Sequence, residues 1–160
     1  MSATTIERLY AALSQRDGAA MAECYHPEAT FSDPVFVDLR GDQVGAMWRM
    51  LCAQGKDLEV TWSQVSSDGA TGGAYWEATY SFGPDRRTVR NRITATFTFE
   101  DGLIRTHRDE FDLWRWARMA IGPVGVMLGW SSIVQDRVRM QAEAGLRRWM
   151  EEEADGPPSA

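Results

Sequence analysis

The sequence predicts an α+β domain, with helices packed on one face of a curved antiparallel sheet and an extra helix at the C-terminus. Three observations predict it. Apolar residues recur at helical spacing through the first 54 positions, broken by one short extended stretch. Past Gly55 the apolar period falls to two and stays there as far as Leu113. The breaks between these period-two stretches are short turn signals, which make each stretch the antiparallel neighbour of the next.

A first helix starts at Thr4 or Thr5, where Thr4-x-x-Glu7 has the form of a capping box, and buries Ile6, Leu9, Tyr10 and Leu13. Asp17-Gly18 ends it, and Asp17 caps a short second helix that carries Met21, Cys24 and Tyr25. His26-Pro27 stops that helix, because a residue before proline avoids the α region. Ala29 to Ser32 forms a short strand, Val35 to Val37 is extended, and Asp42 caps a third helix whose apolar side is Val44, Met47, Trp48 and Leu51.

Three meander strands follow. Their alternating sets are Leu58, Val60 and Trp62; then Trp76, Ala78, Tyr80 and Phe82; then Ile93, Ala95, Phe97 and Phe99. Glu100-Asp101-Gly102 turns into the last strand, Leu103 to Leu113. Its odd positions hold Leu103, Arg105, His107, Asp109, Phe111 and Leu113, and this more apolar face points inward. An ionisable pair, His107 and Asp109, therefore stands in the middle of a buried face, which costs free energy unless it is paired or used.

Beyond the sheet, Leu113 to Ile121 opens as a helix, and Gly122-Pro123 and Gly125 break it into an apolar loop that reaches Trp130. A final helix begins near Ser132, with Gln135 as capping partner and Val134, Val138, Ala142, Leu146, Trp149 and Met150 as its stripe. The organisation is a single domain over 1–116, an apolar loop and helix over 117–152 that extend it, and a disordered tail over 153–160.

Composition narrows the function. Hydrophobic residues at 44% and charged residues at 25% suit a globular protein, and the net charge of −6 argues against a nucleic-acid partner. Cys24 and Cys52 make neither a disulfide framework nor metal spacing, and each is read as a small packed residue. The N-terminus shows no secretory signal, and the most apolar run, Met119 to Trp130, has only 12 residues and cannot span a bilayer. The chain is read as cytoplasmic. No phosphate loop, metal-ligand cluster or Ser-His-Asp signature is present, so any chemistry is expected to be cofactor-free acid–base work.

Three local stretches, with the element order over residues 4–116, carry a family resemblance. They are Tyr25-His26-Pro27-Glu28-Ala29-Thr30-Phe31-Ser32-Asp33-Pro34, then Leu39-Arg40-Gly41, then Gly102-Leu103-Ile104 with His107-Arg108-Asp109-Glu110-Phe111-Asp112. In these the chain resembles the nuclear transport factor two-like superfamily, a cone-shaped fold that includes SnoaL-like polyketide cyclases, ketosteroid isomerases and limonene epoxide hydrolases. The resemblance places Asp33 at the isomerases' general base. Leu9, with Tyr10 beside it, falls where their tyrosine donor stands, and Thr94 lies near their second donor, an acid this chain lacks. Asp109 matches the epoxide hydrolases' aspartate on the final strand, while Trp76-Glu77-Ala78 replaces their Arg-x-Asp. The SnoaL-like cyclases pair a carboxylate with a histidine in a deep apolar pocket, the pattern that His107 and Asp109 fit best.

His107 and Asp109 lie about 7 Å apart at the backbone on one strand face, close enough to bond directly or through a shared water. Such a pair in an apolar cavity moves a proton next to a carbonyl near neutral pH. The structural alternative is a satisfied pair with Arg105 or Arg92 as counter-ion. Asp33 is either an auxiliary base or a turn residue bonded to its own backbone. Tyr25, Trp48, Trp62, Trp76, Tyr80 and Phe97 are the candidate walls of a pocket for a small hydrophobic ligand, and Arg92 is a candidate for an anionic substrate group. Trp114 to Trp130 is expected to be a lid or a dimer element, with membrane-surface contact a third choice.

The reading is a SnoaL-like acid/base enzyme of cyclase, isomerase or hydrolase type, acting without a cofactor on a hydrophobic carbonyl compound. It is expected to be a homodimer through the outer sheet face. The rival readings are a non-catalytic binder using the same pocket and an interaction module working through Trp114 to Trp130.

Overall fold

The structure, a computed structural model, describes residues 2–156. Its elements run α1 (Ser2–Ser14), α2 (Gly18–Ala22), β1 (Tyr25–Ser32), β2 (Leu39–Arg40), α3 (Asp42–Gln54), β3 (Glu59–Ser67), β4 (Thr71–Phe82), β5 (Arg87–Glu100), β6 (Leu103–Glu110), α4 (Leu113–Ile121), α5 (Pro123–Leu128) and α6 (Ser132–Ala154). The six strands form one sheet in the order β2-β1-β6-β5-β4-β3. Every pairing is antiparallel except that of β1 with β6. This is the α+β architecture that the change of period implied.

One face of the sheet is buried under α1 and α3. Ile6, Leu9, Tyr10 and Leu13 of α1 are sealed in the core, as their spacing required, with Val44, Met47 and Trp48 of α3 beside them. Each such large apolar side chain contributes roughly 1.5–3 kcal/mol by leaving water. A smaller cluster of Val89, Leu113, Trp116, Ala117 and Ala120 docks α4 on the start of β5. Two bulges bend the sheet around this core. In β3, Ser63 pairs with Tyr75 but Ser66 with Gly73, and Gln64 takes φ 55° to absorb the extra residue.

The second bulge corrects the expected face of β6. Thr98 pairs with Thr106 but Phe99 with Ile104, so Arg105 is an unpaired extra residue and the inward set changes parity there. Ile104 is fully buried where strict alternation from Leu103 put it outside. Past the bulge the odd set faces inward as expected, and His107 and Asp109 are both buried.

Other boundaries shift for local reasons. Tyr25 opens β1 rather than closing the second helix, and the strand tolerates Pro27 because its register with β6 slips between Tyr25 and Thr30. The first helix starts at Ser2, so Thr4 is within it and not its cap; the Thr5 hydroxyl donates to the Gly102 carbonyl at 2.7 Å. Gly41, at φ 57°, precedes α3 and puts Asp42 in its first turn instead of at its cap. The expected loop after Gly122 contains the helix α5, because Pro123 fits a first helical position and Gly122, at φ 81°, makes the corner. Ser131 caps α6, and the Gln135 side chain reaches back to the Gly129 carbonyl. The helix runs to Ala154, so Glu153, which was expected in a disordered tail, is held by Arg49 through two hydrogen bonds of 2.8 and 3.0 Å. Residues 157–160 lie outside the described residues.

Gly18 lets α2 sit directly on α3: a Cβ there would lie 2.5 Å from the Arg49 Cα. Backbone cannot give way as a side chain can. Gly18→Ala is therefore expected to cost about 1–3 kcal/mol, read as a lower urea midpoint with an unchanged slope.

Candidate functional site

His107 stands on β6 in register with Phe97 of β5 on one side and Phe31 of β1 on the other. Its ring is closed in by Phe97 at 4.3 Å, Phe31 edge-on at 4.9 Å and Trp48 at 6.3 Å between centroids. Inside this apolar sleeve every polar atom of the imidazole is used. The Tyr25 hydroxyl lies 2.7 Å from Nδ1, and Asp109 Oδ1 lies 2.8 Å from Nε2. The Trp48 indole N–H donates to the same Tyr25 hydroxyl at 2.8 Å.

These contacts fix the direction of the chain. An indole N–H only donates, so the Tyr25 oxygen accepts from Trp48; a carboxylate only accepts, so His107 Nε2–H donates to Asp109 and the bare Nδ1 takes the Tyr25 hydroxyl proton. The imidazole proton is then on Nε2 and points at Asp109. Burial holds the Tyr25 hydroxyl well above its ordinary pKa, with the Asp109 charge adding to the rise, so the phenol keeps its proton. Asp109 Oδ1 also takes the Trp76 indole N–H at 3.4 Å. Its second oxygen has no protein partner among the described residues, and Asp109 lines a cavity of about 450 Å³.

The sheet's inward face, α3, α4 and α6 enclose this cavity, whose walls are mostly apolar. Polar groups interrupt them, and four of these, Asp109, Asp33, Tyr80 and Asn91, matter for chemistry. Besides Asp109 there is Asp33, in the turn that follows β1. Asp33 Oδ1 accepts the Val35 and Phe36 N–H groups at 2.7 and 2.6 Å, so the turn reading of this residue holds geometrically. The Arg139 guanidinium donates to the Pro34 carbonyl at 2.8 Å and ties α6 to the same turn. Burial nevertheless pushes the Asp33 carboxyl up to about 7, the Asp109 charge adds to the rise, and the two backbone bonds only moderate it. Tyr80 accepts the Trp116 indole N–H at 2.8 Å, and burial raises its pKa to about 12, which leaves a hydroxyl proton on the cavity wall. Asn91 is 7% exposed, and its side-chain amide has no hydrogen-bond partner among the described residues.

Trp48, Trp76, Tyr80, Asp33 and Asp109 thus line the cavity as the sequence suggested. Other candidates do not. His107 and Tyr25 lie behind Asp109 and reach the cavity only through it. Trp62 stacks on Tyr10 at 6.1 Å and donates to Glu7, which places it between α1 and β3. Phe97 packs on His107, away from the hollow. Arg92 is on the outer face, paired with Glu77 at 3.2 Å, because an inward Asn91 and Ile93 force their neighbour out. Arg105 binds Glu100 at 3.1 Å and the Glu28 carbonyl, so neither arginine compensates the His107–Asp109 pair.

Asn91 is legible in the sequence, because it continues the period-two set of Ile93, Ala95 and Phe97 by one step. The remaining wall comes from Phe111, Trp116 and Ile121, and from Val138, Gln141, Ala142 and Gly145 of α6. No residue of α5 lines the cavity, so α6, and not the Trp114 to Trp130 segment as a whole, covers it. Among the described residues, His26, Glu100 and Asp101 are the group whose potential metal-ligand atoms fall within 4.8 Å of one another. None of them lines the cavity. No described helix is long and apolar enough to cross a membrane.

Solved structures share this architecture. The chain is similar to TerC, crystallised with polyporic acid, at 14% identity and TM-score 0.63 over 74% of this chain and 96% of that one. It is similar to an epoxide hydrolase from M. tuberculosis, resembling the limonene enzyme, at 20% identity and TM-score 0.60 over 83% and 94%. A Jannaschia protein described as a SnoaL-like polyketide cyclase superposes at 19% identity and TM-score 0.66 over 76% and 92%. At these identities the likeness speaks for the fold. No curated protein sequence matches the chain. The SnoaL-like domain family matches residues 6–107, from the first buried residue of α1 to the histidine of β6. The chain belongs to the SnoaL-like domain family, within the nuclear transport factor two-like fold.

Proposed function

We propose that this protein is a cofactor-independent acid/base enzyme for a hydrophobic, carbonyl-containing small molecule, of cyclase, isomerase or hydrolase type. One observation supports this above the others. Two carboxyl groups border one apolar cavity, and their surroundings make them unlike: Asp109 has a free oxygen and an imidazole N–H holding the other, while burial favours the proton on Asp33. Carboxyl groups separated in this way divide base and acid roles.

In this reading Asp109 Oδ2 removes a proton from carbon next to the substrate carbonyl. The developing oxyanion takes hydrogen bonds from the Tyr80 hydroxyl and the Asn91 amide, and Asp33 returns a proton at another atom. His107 is a positioning residue. Its Nε2–H fixes the Asp109 carboxylate and stabilises its charge without meeting substrate. This revises the expectation that His107 and Asp109 share the proton transfer directly, and it turns Asp33 from auxiliary base into acid. Among the structural neighbours, TerC was co-crystallised with polyporic acid, which supports a small-molecule ligand. A homodimer through the outer sheet face is compatible with this arrangement, since the Thr94, Thr96 and Thr98 row and the Glu77–Arg92 pair face that way and away from the cavity.

The reading is tested by incubating the protein in deuterated water with a panel of hydrophobic ketones and following deuterium uptake by mass spectrometry. Exchange beside a carbonyl is expected with the wild type and a loss of roughly 10²–10⁴-fold with Asp109→Asn. His107→Ala should lower the rate less and leave ketone affinity in place. Ketones that bind tightly without exchange would turn the conclusion to the non-catalytic binder.

The pH dependence has a definite sign. The rate should fall as pH rises through about 7, where Asp33 gives up its proton, and Asp33→Asn should remove that limb along with most of the activity. Stability should follow the same group. A carboxyl raised from 3.8 to about 7 in the folded state favours folding fully below pH 4, and that contribution fades as pH climbs to 7. Urea melts at pH 5 and pH 8 should therefore show a larger drop for the wild type than for Asp33→Asn.

A further inference from the structure

The segment from Val124 to Ile133 has no cover in the structure. Met127 is 72% exposed, Trp130 67% and Ile133 79%, and Val124, Val126 and Leu128 are exposed with them. These residues form one tip, where α5 turns through Gly129 into α6. Trp130 is not loose there, because its indole N–H donates to the Met127 carbonyl at 2.9 Å. None of these residues lines the cavity, so substrate binding does not account for them.

Beside the tip runs a cleft lined by Arg87, Arg115, Arg118, Asp85, Thr88 and Val126. Its three guanidiniums make no ion pair with a carboxylate among the described residues, in a chain of net charge −6. Arg87 is steadied by a 3.0 Å bond from its Nε to the Met119 carbonyl, and Arg118 stacks over the Trp114 ring at 4.7 Å. Elsewhere the neighbouring arginines are paired: Arg86 with Asp57, Arg90 and Arg92 with Glu77.

We infer that the α5 tip and the Arg87–Arg115–Arg118 cleft together form a docking surface for an anionic lipid bilayer. The apolar tip would enter the boundary between headgroups and acyl chains, and the cleft would hold lipid phosphates. A bilayer supplies both halves of the complement at once, an apolar layer and a sheet of negative charge a few ångströms above it. A second copy of this chain does not. A twofold contact through the tip would set the three guanidiniums against their own copies, with Asp85 the single carboxylate in the cleft to offset them. The helix α4 also links the two regions: Arg115 and Arg118 point to the cleft, while Trp116 and Ile121 of the same helix wall the cavity. Docking would bring a lipid phase against the wall of a hollow suited to apolar compounds.

Co-sedimentation with vesicles tests this, using phosphatidylcholine alone and equal parts phosphatidylcholine and phosphatidylglycerol. Binding is expected to the mixed vesicles only, weakening with salt and shifting the tryptophan emission to the blue by an amount that Trp130→Ser removes. Arg115→Glu and Arg118→Glu should each reduce affinity roughly five-fold or more, and Met127→Ser and Trp130→Ser should reduce it further. These side chains are outside the packed core, so thermal unfolding of all four variants should match the wild type. Equal binding to both vesicle types, or none to either, would overturn the inference. So would a concentration-dependent dimer abolished by Met127→Ser, or inorganic phosphate saturating the cleft while no vesicle sediments the protein.

Discussion

A single hydrogen bond, from His107 Nε2 to Asp109 Oδ1 at 2.8 Å, decides how this interior can be polar and still fold. A carboxylate on the buried face of a strand is costly, and removing one partner of such a pair leaves the other unsatisfied. Here no guanidinium or ammonium neutralises it. A chain of donors does the work, Trp48 to Tyr25 to His107 to Asp109, with Trp76 added at the end. Because the indoles can only donate and the carboxylate can only accept, the chain has one polarity, and all of it points toward the carboxylate. Four elements contribute: α3 gives Trp48, β1 gives Tyr25, β4 gives Trp76, and β6 gives the pair. The curvature of the sheet is therefore tied to the chemistry, since the bulge at Arg105 sets the parity that brings His107 and Asp109 inside.

The cavity takes its character from what lies at its two carboxyls. Asp109 keeps one oxygen unengaged, whereas Asp33 has an oxygen committed to two backbone N–H groups and is still pushed up to about 7 by burial. The C-terminal helix creates much of that burial. Val138, Gln141, Ala142 and Gly145 roof the hollow, Arg139 fastens the helix to the Asp33 turn, and Arg49 with Glu153 pins its far end. Without α6 the same sheet would present a solvated bowl, and the difference between its two acids would shrink.

Much of this could be read from the residues. Period two across β3 to β6 defined the sheet, the stripe Val134, Val138, Ala142, Leu146 defined the inner side of α6, and the conflict between His107–Asp109 and an apolar face marked the site. What stayed hidden depended on long-range geometry. Register slips are not written in alternation, so alternation alone puts Ile104 on the outer face and Tyr25 in the preceding helix. Aromatic residues in alternation look alike whether they border a void or a neighbouring ring, which is why Trp62 and Phe97 were grouped with Trp48 and Trp76. For Arg92, guanidinium chemistry suggests a substrate contact, but the parity that Ile93 fixes turns it outward. Asn91 is the converse case: an uncharged amide between two arginines carries no chemical signal of its own, and only the strand's alternation turns it inward.

The polarity of the donor chain can be measured directly. The protein has two histidines, so nitrogen-15 spectra of the imidazoles, assigned with a His26→Gln variant, report the His107 tautomer without ambiguity. The geometry predicts a proton on Nε2 directed at Asp109 and an Nδ1 that accepts from the Tyr25 hydroxyl. A ring with its proton on Nδ1 and none on Nε2, or a mixture of tautomers averaging in fast exchange, would contradict this, because the Asp109 carboxylate would then lack the donor that holds it.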